Sequence, residues 1–397
     1  MPLDPFFAER LRVHRRYMFD QALGSLRSRV SALWQFGRTF VPAAGPAPTP
    51  AATTPAKPGR KTKDAGLGPH AKARARHRRA ALAWDRKELA TVGTPGPDVR
   101  TTEHVVAVPG RPDVRVRIYH PDHHPDPHPD ISPGAGGPVP AVLAFFGGAF
   151  RIGGIDYPTT DAGFRRRCAD AGVAIVAVDY ALAPEHRHPT QIEQAWAALE
   201  WLRADADAHG IDPERLGVLG TSAGGSIAAA LALVNRDRGG APLRLQVLEV
   251  PVADLTGRHL DLRVTWALGI PRVLAVRELR SVARTYLADP KDALEPYASP
   301  LRAASHAGLP PAVILTAEYD PLRGDGDAYG AKLRAAGVEA SVVRYQGVTH
   351  DTPVFTGALP AARRWHDDVV AALRRLHGPV KSQSHRSHSS HGTGDTP

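Results

Sequence analysis

Apolar and polar positions follow two rhythms along the chain. From about residue 98, short runs rich in β-branched and apolar residues predict strands: RVRIYHP, AVLAFF, VAIVAVDY, RLGVLG, LQVLEV, AVILTAEYD and ASVVRYQG. Between them lie longer segments of helical period, at residues 190–208, 222–236, 324–337 and 358–376. Such alternation predicts an α/β fold, a mainly parallel sheet covered by helices on both faces. In sheets of this kind the chemistry sits where loops leave the carboxyl ends of strands.

Outside that region the pattern changes. Residues 3–40 show an amphipathic stripe, with Leu11, Met18, Ala22, Leu26, Val30 and Leu33 at helical spacings and arginines between them. Residues 41–80 open on the Pro/Ala-rich VPAAGPAPTPAATTPAKPG and run into the basic KPGRKTKDAGLGPHAKARARHRR. That composition buries too little apolar surface to fold alone and predicts a disordered linker. The expected organisation is an N-terminal helical segment at 1–40, a linker at 41–80, a catalytic domain at 81–377, and a disordered His/Ser-rich tail at 378–397.

Composition narrows the function. With 397 residues, 43% of them hydrophobic, the chain can bury a full core. Its single cysteine, Cys168, forms no internal disulfide, which fits a reducing compartment. The N-terminus, MPLDPFFAERLRVHRRYMF, is broken by arginines and offers no signal-peptide core, and no apolar run approaches the roughly 20 residues of a membrane helix. The expectation is a soluble, cytoplasmic protein. The net charge of +10 invites a nucleic-acid reading, but residues 1–90 hold 18 Lys or Arg against 6 Asp or Glu and so carry more than the whole excess. The rest of the chain is close to neutral, and nucleic acid is not an expected partner.

The chemistry starts from RLGVLGTSAGGSIAAALAL, where Ser222 stands between Gly220 and Gly224 at a strand-to-helix junction. A serine on such a strained turn projects its hydroxyl above the sheet, and small residues two before and two after let strand and helix pass closely. An ordinary helix N-cap would use Thr221 or Ser222 equally well. A nucleophilic serine needs a base and an orienting acid, in chain order nucleophile, acid, histidine. Asp320 follows the strand AVILTAEYD, with Asp325 as the rival acid five residues on, and His350, one of nineteen histidines, follows ASVVRYQG. An oxyanion hole completes the set. AVLAFF opens into Gly147 and Gly148, whose backbone N–H groups, with that of Ala223, supply three candidate donors.

The ordered set FFGGAFRIGG, AVDYALAPEHRHP, GTSAGGSIAAALAL, EYDPLRGDGDAYGAKLRAAGV and GVTH resembles the hormone-sensitive-lipase-like branch of the α/β-hydrolases over roughly residues 98–377, and PLDPFFAERL resembles that family's start. The resemblance implies an eight-stranded, mostly parallel sheet flanked by helices, and a helical cap built from N-terminal residues plus an insertion at about 255–295. It also implies hydrolysis of small carboxylic esters, of short to medium acyl length, without metal or organic cofactor. Carried over, Ser222 is the nucleophile, Asp320 the acid, His350 the base, and Gly147, Gly148 and Ala223 the oxyanion donors.

Departures from the family pattern bear on function. Its oxyanion loop usually reads His-Gly-Gly-Gly; here it reads Phe146-Gly147-Gly148-Ala149. The ring at 146 can only pack, and a positive φ at Ala149 would store on the order of 1 kcal/mol. Thr221 stands where Asp is common, and Asp351 where Gly is frequent. The altered loop motivates a second reading, a non-catalytic small-ligand binder on the same fold. Within the cap insertion, Trp266, Leu268 and Leu274 are candidate pocket-lining residues, with core packing equally open to them. The stripe at 3–40 fits either a cap helix or peripheral membrane contact through the basic N-terminal region. HPDHHPDPHPD and the tail residues His385, His388 and His391 offer no fixed geometry for a metal.

Overall fold

The computed structural model describes residues 2–12, 69–121 and 137–378. Most of the stripe at 3–40, the linker up to residue 68, the His/Asp/Pro stretch from residue 122 and the tail from residue 379 lie outside the described residues. Among the described residues no helix is long and apolar enough to cross a membrane, and no group of His, Cys, Asp or Glu could hold a metal ion.

In chain order the elements are α1 (residues 5–12), α2 (Pro69–Thr91), β1 (Thr101–Val106), β2 (Val114–Tyr119), β3 (Val139–Phe145), α3 (Pro158–Ala171), β4 (Ala174–Asp179) and α4 (Thr190–Ala204). They continue as β5 (Ile211–Thr221), α5 (Ala223–Asp237), β6 (Leu245–Glu249), α6 (Arg263–Ala267), α7 (Arg272–Tyr286), β7 (Ala312–Tyr319), α8 (Arg323–Ala335), β8 (Ala340–Thr349) and α9 (Pro360–Arg374). The eight strands form one sheet in the order β1-β2-β4-β3-β5-β6-β7-β8. β1, β2 and β4 pair antiparallel, and every pairing from β4 onward is parallel.

The strand sequences explain their places. β4 and β6 are buried along almost their whole length, and β4 reads as an apolar run up to Asp179, as a strand covered on both faces does, while β6 carries two buried polar residues, Gln246 and Glu249. β1, at the sheet edge, alternates partly buried and exposed positions instead, so its TTEHVV lacks the apolar run that marks the others. α5 is buried from Ala223 through Asn235, and its alanines let it lie close to the sheet. Because the chain passes from β3 outward to β4 and then returns to β5 on β3's other side, the strand order reverses between β3 and β5. In open α/β sheets ligands bind at such a reversal, outside the carboxyl ends of the two strands.

One expectation needs correction. Residues 69–80, read as part of a disordered linker, form the first half of α2. Alanine, arginine and lysine are strong helix formers. The charge that counted against folding is matched across the fold, since Arg74 and Arg78 both pair with Glu185, at 2.8 and 2.7 Å.

Candidate active site

Ser222 is the N-cap of α5, directly after β5, with φ 56° and ψ −115°. A β-carbon in this left-handed region is strained and persists only where the surroundings enforce it. Here they do. The Ser222 N–H donates to the Glu249 carbonyl at 2.8 Å, and the Ser222 carbonyl accepts from Ser226 at 3.1 Å. A Cβ on Gly220 would lie 2.1 Å from the Gly224 carbonyl oxygen, so only glycine permits the strand and helix to cross at this distance.

Below the elbow sits a buried charge that the sequence reading missed. The Glu249 carboxylate is fully buried on β6 and accepts from the Thr221 hydroxyl at 2.9 Å, Arg167 of α3 at 2.8 Å and the Trp365 indole of α9 at 2.7 Å. Thr221 therefore ties the turn to both flanking helices through one acceptor. Three donors converge on the two carboxylate oxygens, the condition under which a buried carboxylate is tolerated.

Asp320 and His350 each stand one residue beyond their strands, β7 and β8. The structure brings them to Ser222: His350 Nδ1 lies 2.7 Å from Asp320 Oδ2, and His350 Nε2 lies 2.9 Å from Ser222 Oγ. Asp320 is buried, and its other oxygen accepts from the Leu322 N–H at 2.9 Å, which fixes the carboxylate's orientation. Burial works to lower the imidazole pKa, but the charge and hydrogen bond of Asp320, with the charge of Asp351 added, outweigh it and leave the pKa above its ordinary value. His350 keeps 32% of its side-chain exposure, so water reaches the ring.

Asp325 goes elsewhere. It is buried, and one oxygen accepts from the Ala253 and Asp254 N–H groups at 2.9 Å, pinning the segment after β6. Burial, opposed by those two hydrogen bonds and reinforced by the charges of Asp254 and Asp320, pushes its carboxyl up to about 7.

The loop after β3 lies against the elbow. A Cβ on Gly147 would sit 3.5 Å from Ser222 Cβ and 3.2 Å from the Thr221 carbonyl. The turn is tight: Gly148 has φ 134°, its carbonyl accepts from Arg151 at 3.0 Å and Ile152 at 3.1 Å, and a Cβ there would meet the Ile152 carbonyl at 2.1 Å. Ala149 has φ 53° and Phe150 φ 61°, so two residues with side chains occupy the left-handed region in succession. Each costs on the order of 1 kcal/mol, offset by the contacts around them. Phe150 is buried and stacks on Tyr286 of α7 with centroids 3.7 Å apart, and its carbonyl accepts from Ala183 at 2.8 Å. Phe146, where the family usually has histidine, stacks on Tyr180 at 4.1 Å and 9°, while the Tyr180 hydroxyl donates to the Phe146 carbonyl at 2.8 Å.

α6 and α7, between β6 and β7, are tied to both loops. Arg151 reaches Glu278 of α7 at 2.5 Å, and Asp261, just before α6, pairs with Arg323 at 2.6 Å and donates its N–H to the Pro321 carbonyl at 2.9 Å. Of the three candidate lining residues, Leu268 is buried, whereas Trp266 is 85% and Leu274 51% exposed. The reason is helical phase: α6 buries Val264, Thr265 and Leu268 on one side, and that turns Trp266 outward.

Comparison with known proteins agrees with this architecture. Residues 142–354 match the α/β-hydrolase fold family. Esterase LipI of Mycobacterium tuberculosis is 37% identical over 293 residues, covering 71% of this chain and 84% of the relative. Carboxylesterase NlhH of the same organism is 37% identical over 287 residues, covering 70% and 83%. Among solved structures, EstE1, a thermostable carboxylesterase cloned from a metagenomic library, superposes with a TM-score of 0.68 at 34% identity, over 77% of this chain and 98% of its own. Fold, strand order and sequence similarity together place the chain in the α/β-hydrolase family that contains the hormone-sensitive-lipase-like esterases.

Proposed function

We propose that the protein hydrolyses small carboxylic esters through an acyl-enzyme on Ser222, with His350 as general base and Asp320 as the orienting acid. The observation that carries this reading is the continuous hydrogen-bonded chain Asp320–His350–Ser222, at 2.7 and 2.9 Å. His350 Nε2 takes the serine proton as Oγ attacks the ester carbonyl, and the Asp320 carboxylate holds the tautomer and stabilises the imidazolium. The N–H groups of Gly147, Gly148 and Ala223 receive the oxyanion. His350 then protonates the departing alcohol, and water repeats the cycle on the acyl group. A ligand-binding role without turnover is not favoured, because the relatives are esterases and Ser222, His350 and Asp320 are all in hydrogen-bond contact. The stacked and anchored loop supports a hole that keeps its shape despite Phe146 and Ala149.

The direct test is a fluorophosphonate probe with peptide mapping, run beside hydrolysis of p-nitrophenyl esters from acetate to palmitate. One phosphonyl group on Ser222, with turnover lost in proportion and highest on the short to medium chains, is the expected result. An active enzyme whose adduct maps to another residue refutes the assignment.

The electrostatics of His350 set the pH response. Its neutral form is the base, and its neighbours raise its pKa. Activity is therefore expected to rise with pH through an inflection above the ordinary imidazole value of about 6.5. Asp351→Asn removes one raising charge from an exposed position and should move the inflection of kcat/KM down by roughly half a pH unit. An unmoved inflection would show that Asp351 does not act on the imidazole.

A further inference from the structure

The oxyanion loop has one anchor that comes from far outside the hydrolase core. Arg78, on α2, donates from Nε to the Arg151 carbonyl at 2.9 Å and from Nη2 to the Ala183 carbonyl at 3.0 Å. The same Nη2 reaches Glu185 at 2.7 Å, and the carboxylate of Glu185 also accepts from Arg74 at 2.8 Å. The two carbonyls belong to segments already joined side by side, since the Ala183 N–H donates to the Phe150 carbonyl at 2.8 Å. The guanidinium thus closes a bridge across the strained turn: residues 150 and 151 on one side, 183 and 185 on the other, and α2 behind. Tyr157 fixes α2 in turn by donating to the Arg78 carbonyl at 3.3 Å.

This matters because of what the loop lacks. With phenylalanine at 146 there is no imidazole to hydrogen-bond the turn, and Ala149 and Phe150 both sit at positive φ. A loop held that way relaxes unless its carbonyls are fixed from outside, and the Arg151 carbonyl is the first acceptor after the strained pair. Arginine suits the task, since its planar fork offers Nε and Nη2 in a fixed relation to two acceptors at once, which an ammonium does not.

We propose that Arg78 is a positioning residue for ester hydrolysis, holding the Gly147–Gly148 donors at the height of the oxyanion through the Arg151 carbonyl. The inference rests on the reading of those glycines as oxyanion donors. A displacement of about 1 Å at such a site costs on the order of a hundredfold in rate. Arg78→Met, which keeps the stem and removes the fork, should lower kcat tenfold to a hundredfold with KM nearly unchanged. Binding of a trifluoromethyl ketone, which forms an oxyanion on Ser222, should weaken by a similar factor. Arg78→Lys keeps the charge but cannot serve both carbonyls, so it should recover only part of the loss. Glu185→Gln removes the ion pair but leaves both carbonyl bonds in place, so its loss of kcat should stay well below that of Arg78→Met.

Full kcat and full trifluoromethyl-ketone affinity in folded Arg78→Met, or a lowered unfolding temperature with neither changed, overturns the proposal. If Arg78→Met does not fold, Arg78→Lys decides the question on the same two readouts. Failure of the underlying site reading looks different: the wild-type enzyme itself would not bind the ketone at Ser222.

Discussion

Ser222→Ala is expected to reduce turnover of p-nitrophenyl esters by about a millionfold while the protein stays folded. The size follows from the site's construction. In the proposed mechanism the serine oxygen is the attacking atom, and without it His350 Nε2, its partner at 2.9 Å, is left only water to deprotonate. The loss should fall on kcat rather than KM, because the substitution removes the attacking oxygen and leaves the backbone of the turn in place. Residual catalysis would come from the oxyanion donors acting on a bound ester and water. The backbone gives no counter-effect: alanine suffers the same strain as serine at φ 56°, so the unfolding midpoint should move little. A folded Ser222→Ala enzyme with activity within a hundredfold of wild type would remove serine catalysis from consideration.

The second large effect is on stability. Gly224 is the point where α5 touches the end of β3, and a Cβ there would lie 2.1 Å from the Phe145 carbonyl oxygen and 2.5 Å from that of Phe146. Both obstacles are backbone, so no rotamer change relieves them. Gly224→Ala must drive the helix away from the sheet or push the loop after β3 aside, at a cost of at least about 3 kcal/mol. Gly163 provides the contrast. It is in α3, with nothing within 4 Å of an added Cβ, so alanine there should stabilise by roughly 0.5–1 kcal/mol through helix propensity. Urea midpoints of the two variants should move in opposite directions, and a Gly224→Ala protein as stable as wild type would contradict the packing described.

Strands β3 to β7 were legible because buried parallel strands concentrate apolar residues, β2 and β8 because VRVRIY and ASVVRY carry β-branched residues, and helices α4, α5, α8 and α9 because their lengths and periods stand out. β1 was not, since an edge strand with His104 and Glu103 carries half the signal. α3 escaped for a different reason: TTDAGFRRRCADA is rich in charge, and its buried face shows only against the sheet it covers. α7 lies inside the helical insertion at about 255–295 that the family resemblance implied, although its own bounds were not legible in RVLAVRELRSVARTY. Ser222, Asp320 and His350 lie at strand ends, where position along the chain is itself a clue. The departure at Phe146 was visible in the sequence, but its support was not. Tyr180 is 34 residues from Phe146, and Arg78 is 73 residues from Arg151 inside a basic stretch whose composition argued for a linker. No local pattern encodes a contact made by one guanidinium across the fold.

The chain separations within the triad carry a kinetic consequence. His350 meets Ser222 across 128 residues and Asp320 across 30, with the sheet closed between them. Contacts this non-local form only after most loop-closure entropy has been lost, so they complete late. During refolding from denaturant, secondary structure and compaction should return before ester hydrolysis does. Recovered activity then serves as a clock for the last strand to dock, a property of the chain's wiring rather than of its chemistry.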